Sequence, residues 1–370
     1  MKELQRLERQ FLLLLSQRME PRITNIQLQQ SIKKSLLIRS LSDRHIIDCL
    51  NIYYGIQVAS LTRLLLGADM NASVYKAQAH DQRSYFVKLK HGHQHGTDVA
   101  ILDLLHDEGI QQIIPPLKTS QGQLTQQIDE FTLIVYPFIE NQNGFSQILT
   151  ADQWFTLGKV LKKVHEFKMP TEIQERIRRE NYSPKWRDTV RSLYDYIDAQ
   201  PNGDNWAIEL RLFMKRHKEE IHRLVESAEF FGQKIQQEPE KFVLCHADIH
   251  GGNVLIDANG FIYIVDWDQS VMAPKERDLM FIGGGVANVW NNPHEEEFFY
   301  KGYGKTEINR LILAYYRHER IVEDIAEYAQ EFLLTTVEAD RSEMYKQFIA
   351  MFEPKGVVDI AFRTAENLTV

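Results

Sequence analysis

A chain of 370 residues, 44% hydrophobic and 25% charged, is long and apolar enough for two or three packed domains, which excludes a disordered or fibrous polypeptide. A net charge of −8 argues against nucleic-acid binding through bulk charge, and two cysteines, Cys49 and Cys245, exclude a disulfide scaffold and suit a reducing compartment. No apolar run approaches the ~18 residues of a membrane span and no signal-peptide core is present, so a cytoplasmic protein with no membrane or nucleic-acid partner is expected.

Residues 1–40 carry a net +5, leaving −13 for the rest. Leu4, Leu7, Phe11, Leu14 and Leu15 recur at helical spacing, which predicts an amphipathic N-terminal extension. A short helix over Ser42–Tyr54 follows, then strands over Leu61–Leu66, Ser73–Ala79 and Ser84–Lys90, separated by turn-like Gly67–Ala72 and 80–83. Asp98–His106 reads as a helix with Ile101, Leu102 and Leu105 on one face. Phe131–Ile139 reads as a buried strand that Pro137 turns into an edge or a hinge. Polar Glu140–Gly144 is a candidate linker. Beyond it the period becomes helical. Thr150 and Gln153 form a capping-box pair ahead of Trp154, Leu157, Leu161, Val164 and Phe167, with Pro170 as the stop. One further helix is predicted to carry Leu210, Phe213, Ile221 and Leu224. A β-rich insert over Phe242–Val265 precedes a last helical block. The predicted organisation is an extension over 1–40, a small β-rich nucleotide-binding lobe over 41–139, and a larger, mainly helical catalytic and substrate-binding lobe over 140–370.

The β insert holds the chemistry. His246, Asp248 and Asn253 stand in H-x-D-x-x-x-x-N, and two apolar strands flank Asn259-Gly260, a strong hairpin signal, ahead of Asp266 and Asp268. A two-residue turn pairs position 253 with 266 across the hairpin mouth; a four-residue loop over Asp257–Gly260 leaves them diagonal. Either register brings an amide and a carboxylate together, which suits Mg²⁺ with substrate phosphates, and Asp248 can then orient a nucleophile beside the metal. In Tyr85–Lys90, alternation puts Phe86, Lys88 and Lys90 on one face and Val87 and Leu89 on the other. Lys88 suits a phosphate contact and Lys90 a solvated edge. Asp98 is positioned in sequence to pair with Lys88. Gly67–Ser73 can fold over phosphates through backbone N–H groups, although one glycine also suits an ordinary turn. His91, His93 and His95 alternate on a loop with no cysteine or carboxylate to complete a metal site, which reads as surface. His246 and His250 read as residues that orient backbone.

Taken in order, these residues resemble the aminoglycoside phosphotransferase family, with its kinase-like fold. Tyr85–Lys90, Tyr136-Pro137-Phe138-Ile139, Tyr182–Arg187, Ala273–Trp290 and Tyr316–Ile325 are similar to its spectinomycin phosphotransferase branch. The resemblance runs from about Ser42 to Ala361. It implies an α+β, protein-kinase-like two-lobed fold, with Asp248 as catalytic base, Asn253 and Asp266 as Mg²⁺ ligands, and Lys88 on the phosphates of ATP. It implies that Pro137 offers its carbonyl and Ile139 its N–H to the nucleotide base, with Phe138 between them. The family's usual partner for the lysine is Glu; here it is Asp98. Asp268 becomes a candidate for a water-mediated metal contact or for substrate. Arg277-Asp278 is expected to brace the catalytic loop.

The expected reaction is ATP-dependent O-phosphorylation of an aminocyclitol or aminoglycoside antibiotic, foremost spectinomycin, conferring resistance, by a monomer. A cationic acceptor calls for acidic groups, and Glu319 and Glu323, at helical spacing with Glu327, are the candidates, with Trp290 as an apolar wall. Arg317 and Arg320 interleave with them. The alternatives are a kinase for a small metabolite alcohol such as choline or homoserine, and a catalytically silent nucleotide-binding scaffold.

Overall fold

The computed structural model describes residues 41–64, 72–92, 96–199, 205–237, 240–334, 338–366 and 368. The predicted extension over 1–40, residues 67–71 of the glycine-containing loop, and His93 and His95 lie outside them. The chain divides into two compact units, Met1–Gly96 with Pro116–Phe138, and Thr97–Pro115 with Ile139–Val370.

In the first unit, Ser42 caps a helix over Asp43–Tyr54 by accepting from the His45 N–H, and Gly55 at φ 66° ends it. The strands are β1 (Val58–Leu64), β2 (Ala72–Ala79), β3 (Ser84–His91), β4 (Gln126–Ile128) and β5 (Phe131–Pro137), in one antiparallel sheet of order β1-β2-β3-β5-β4. The predicted alternation is present in β3. Tyr85, Val87 and Leu89 are buried with Ile46 and Leu50 of the helix, while Phe86 and Lys88 are half-buried on the other face. Lys90 departs from expectation. Because β3 is interior, paired on both sides, Lys90 is only 8% exposed rather than a solvated edge residue. β5 is flanked by β3 and β4 only up to Leu133; it stops at Pro137, and the Phe138 N–H bonds the Ser84 carbonyl at 3.0 Å.

The second unit opens with the helix Thr97–Asp107, which buries Ile101, Leu102 and Leu105. Glu140–Gly144 is not a linker. Asn141–Asn143 forms β6, an edge strand on β8 (Val254–Asp257), which pairs in turn with β9 (Ile262–Ile264). Its polar side chains are those of a strand with solvent at its edge, so no apolar alternation marked it. The Thr150–Gln153 capping box is formed, and the helix Ala151–Glu166 buries Trp154, Leu157, Leu161 and Val164. Gln153 also donates to the Gly260 carbonyl at 2.9 Å, tying the hairpin tip to this helix. Gly158 lets the helix Pro293–Tyr303 approach: a Cβ there would lie 2.1 Å from the Phe299 carbonyl oxygen.

The predicted single helix through Leu210 and Leu224 is two helices, Asn205–Arg216 and Lys218–Ile235. They part at His217, whose φ −96° and ψ 15° fall outside the helical region while its ring bonds Glu220. Leu210, Phe213, Ile221 and Leu224 still share one core with Ile321, Val322 and Ile325 of the long helix Arg310–Leu334. A second small ribbon pairs β7 (Val243–Cys245) with β10 (Val271–Ala273). Among the described residues no helix is long and apolar enough to cross a membrane.

Candidate active site

The segment between β7 and β8 is pinned from beneath by a buried carboxylate. Asp278 accepts from the backbone N–H of His246 at 2.9 Å and of Ala247 at 2.6 Å, and from His165 Nε2 at 3.0 Å. His165 Nδ1 faces the Tyr303 hydroxyl at 2.8 Å. Burial alone would raise the Asp278 carboxyl; the His165 hydrogen bond and the nearby imidazoles and N–H groups outweigh it, and the group is held below its ordinary range. Ala247 sits at φ 70°, a strained position for a non-glycine residue that brings both N–H groups onto Asp278. The expected bracing role of Asp278 is realised, and Arg277 lies with its guanidinium 5.5 Å from the Tyr316 ring.

Both histidines orient backbone, as expected. His246 Nδ1 accepts from the Asp248 N–H at 3.2 Å, so its Nε2–H donates to the Val265 carbonyl at 2.8 Å. His250 Nδ1 accepts from the Gly252 N–H at 3.0 Å, and its ring stacks on Phe145 at 5.2 Å. Gly251 permits that approach, because a Cβ there would meet Phe145 at 2.7 Å and the Gly144 backbone at 2.9 Å. The loop closes when Asn253 donates from Nδ2 to the Asp248 carbonyl at 2.9 Å.

The β8–β9 register differs from both turn lengths considered. Val254 pairs with Ile264, and the Val265 N–H bonds the Asn253 carbonyl, so Asn253 stands opposite Val265 and Asp266 is one residue beyond. The cause is Asp257. Its side chain accepts from the N–H groups of Asn259 and Phe261, at 2.8 and 2.9 Å, and closes a three-residue loop with Gly260 at φ 80°. Asp266 then leaves the strand at φ 61° and starts the 3₁₀ turn Trp267–Gln269. With Nδ2 of Asn253 committed to Asp248, its Oδ1 is the atom left for a cation. An amide oxygen and the nearby-in-sequence Asp266 carboxylate are both hard oxygen donors of the kind Mg²⁺ takes.

Asp248 is engaged on both oxygens. Arg320 Nη1 meets Oδ1 at 2.7 Å; His250 Nε2 and Asn253 Nδ2 lie 3.6 and 3.4 Å from Oδ2. Burial would raise this carboxyl, but the Arg320 guanidinium and His250 prevail and hold it well below the usual carboxylate range. Arg320 in turn bonds Asp324 through Nε at 2.8 Å. Neither Arg320 nor Asp324 was singled out as functional from the sequence. Their i, i+4 spacing on one helix was visible, whereas their contact with a residue 72 positions away was not.

The acceptor candidates fare unevenly. Trp290 is no wall: it is 5% exposed and packs edge-on against Trp154 at 4.9 Å, which makes it core. Glu319 is internal as well. Its Oε2 lies 3.2 Å from Arg187 Nη1, which donates to the Ala228 carbonyl, and Oε2 itself keeps a charge contact with no hydrogen bond. Burial pushes its carboxyl up to about 7 against the pull of Arg187. Glu323 is half-buried and its charge acts on Arg277 and Arg320. Burial likewise pushes Asp324 up to about 6 despite Arg320. Asp268 is half-buried in the 3₁₀ turn, and its carbonyl accepts from Arg178 at 3.0 Å. In the other unit Lys88 lies mid-strand in β3 and Pro137 ends β5 with Phe138 just beyond it, where Lys76 Nζ lies 4.2 Å over the Phe138 ring. Asp98 lies in the first turn of Thr97–Asp107, and the Ile139 carbonyl accepts from Asn141 Nδ2 at 2.6 Å.

The raised Glu319 carboxyl gives a pH signature with a definite sign. Between its ordinary range near 4.5 and about 7 the folded chain binds more protons than the unfolded one, so this group's contribution to stability falls as pH rises. Glu319→Gln is therefore expected to gain melting temperature relative to the wild type as pH goes from about 5 to about 8. A constant difference across that interval in a thermal-melt series would show that Glu319 carries no such burial cost.

A kinase-like α+β fold that presents Asp248 on a braced loop ahead of the β8–β9 hairpin is an arrangement suited to a phosphotransferase. Residues 62–311 match the phosphotransferase enzyme family, and the chain belongs to it. It is 47% identical to spectinomycin phosphotransferase APH(9)-Ia, solved with ADP and spectinomycin, over 89% of this chain and 100% of that one, with a TM-score of 0.82. The AMP-bound complex of that enzyme is 46% identical over 87% and 98% of the two chains, with a TM-score of 0.79. Protein StrN of Streptomyces griseus is 24% identical over 268 residues, 68% of this chain and 76% of that protein.

Proposed function

We propose that this phosphotransferase moves the γ-phosphoryl group of ATP to a hydroxyl of a cationic aminocyclitol, spectinomycin, and thereby inactivates it as an antibiotic. The observation that carries the reading is Asp248, presented on a loop held by Asp278, His246 and Asn253. The 47% identity to an enzyme solved with ADP and spectinomycin supports the acceptor.

In this reading the acceptor oxygen attacks the γ-phosphorus, the bond to the bridging oxygen breaks, and ADP leaves. A carboxylate held as low as Asp248 is a weak base, so its work is to accept a hydrogen bond and aim the hydroxyl. That suffices in a loose transition state, where the hydroxyl proton passes to the carboxylate only late, after most of the bond to the leaving oxygen has broken. Asn253 and Asp266 would hold Mg²⁺, which when bound would neutralise charge on the phosphates. Lys88 meets the phosphates, and Pro137, Phe138 and Ile139 meet the base. Glu323 presents negative charge toward the acceptor's ammonium groups. The chain acts as a cytoplasmic monomer.

The test is nucleotide consumption over a panel of aminocyclitols, aminoglycosides, choline and homoserine, with mass detection of the product. Spectinomycin-dependent ADP release with a phosphorylated product is expected. Turnover with choline and none with spectinomycin would replace the antibiotic with a metabolite alcohol. Nucleotide binding with no acceptor-dependent turnover would leave a scaffold.

A further inference from the structure

The carboxylate of Asp248 is not left to rotate. Its Oδ1 receives Arg320 Nη1 at 2.7 Å, while Oδ2 has only the longer approaches of Asn253 Nδ2 at 3.4 Å and His250 Nε2 at 3.6 Å. Arg320 is fixed in its turn: Nε bonds Asp324 at 2.8 Å, and the guanidinium lies 5.6 Å over the Phe281 ring. Both side chains are shielded, at 19% exposed for Arg320 and 21% for Asp248. A planar fork bonded at two different nitrogens and resting on a ring has one orientation, which a lysine cannot reproduce.

We propose that Arg320, anchored by Asp324, is a positioning residue that occupies Oδ1 of Asp248 and so turns Oδ2 toward the acceptor hydroxyl. This assignment rests on the reading of Asp248 given above. The hydroxyl then meets a carboxylate oxygen whose direction is set before it arrives, and the entropy of orienting that group is not lost during the reaction. The competing account is a plain ion pair that fastens the helix Arg310–Leu334 to the loop. It gives Arg320 a share in stability and none in turnover.

The experiment compares wild type, Arg320→Ala, Arg320→Lys and Asp324→Asn in acceptor-dependent ADP release, with melting temperature measured beside it. Arg320→Ala is expected to lower kcat by about 10–100-fold, leave the KM for ATP within about twofold, and recover part of its rate when guanidinium ion is added below denaturing concentration. Arg320→Lys is expected to recover less than half of the loss, and Asp324→Asn, which keeps the guanidinium but frees it, to lose kcat several-fold. Guanidinium should not rescue Asp248→Ala. Wild-type kcat in Arg320→Ala, or a loss that follows melting temperature and shows no guanidinium rescue, would overturn the assignment. If Arg320→Ala does not fold, wild-type kcat in Asp324→Asn overturns it equally. Absence of acceptor-dependent turnover in the wild type itself would instead overturn the phosphotransfer reading of the site, and the assignment with it.

Discussion

Asp248→Ala is expected to lose about 10²–10⁴-fold in kcat while its affinity for ATP stays close to wild type. The split follows from what Asp248 is proposed to touch. In that proposal its carboxylate faces the acceptor, and the nucleotide contacts fall to Lys88, the Pro137–Ile139 segment, and a metal that Asn253 and Asp266 would hold. Truncation also leaves the guanidinium of Arg320 hydrogen-bonded to Asp324 without Asp248, so the local charge changes by one unit. Initial rates at saturating ATP and acceptor, with nucleotide binding followed by calorimetry, separate the two effects. Wild-type turnover in this variant would remove Asp248 from the chemistry, and a matching loss of ATP affinity would move it to the nucleotide.

Asp278→Asn is expected to cost about 3–5 kcal/mol of stability, because it removes a fully buried anion that three donors converge upon. The amide can accept at one atom only; its NH₂ would face an N–H group or His165 Nε2–H, leaving donors opposed in a fully buried site. The loop it braces carries Asp248, so activity should fall in step with folding. A urea series reads the loss as a lower midpoint with an unchanged slope. A carboxyl held low in the fold contributes stability above the unfolded carboxylate range and loses it as pH falls below that range. The gap between wild type and variant should therefore be widest near neutrality and narrow toward acid. An unchanged midpoint at pH 7 would show that the loop stands without this anion.

Much of the candidate site was legible because its signals are local. The H-x-D-x-x-x-x-N spacing, the apolar strands around Asn259-Gly260 and the alternation in Tyr85–Lys90 each depend on neighbours within a few residues, and the capping box at Thr150 and Gln153 likewise forms within one turn. The hairpin register failed for an equally local reason that the dipeptide rule does not include. Asp257 bonds two backbone N–H groups and closes a three-residue loop in place of the two-residue turn, which moves Asp266 past the ladder. The His217 break escaped the periodicity because Leu210, Phe213, Ile221 and Leu224 all stay on one buried face across it.

By itself the sequence pointed to phosphoryl transfer, through the H-x-D-x-x-x-x-N motif taken together with its apolar hairpin and the family resemblance, and it determined which faces of the strands and helices are apolar. Tertiary structure alone decided how the charges are spent. It set Glu319 against Arg187 inside the unit, sent Trp290 into the core beside Trp154, and brought Arg320 to Asp248 from 72 residues away. The reason is physical: backbone preference and apolar periodicity act over a few residues, whereas the burial that raises a carboxyl and the ion pair that lowers one depend on groups distant in the chain that meet only when the core closes.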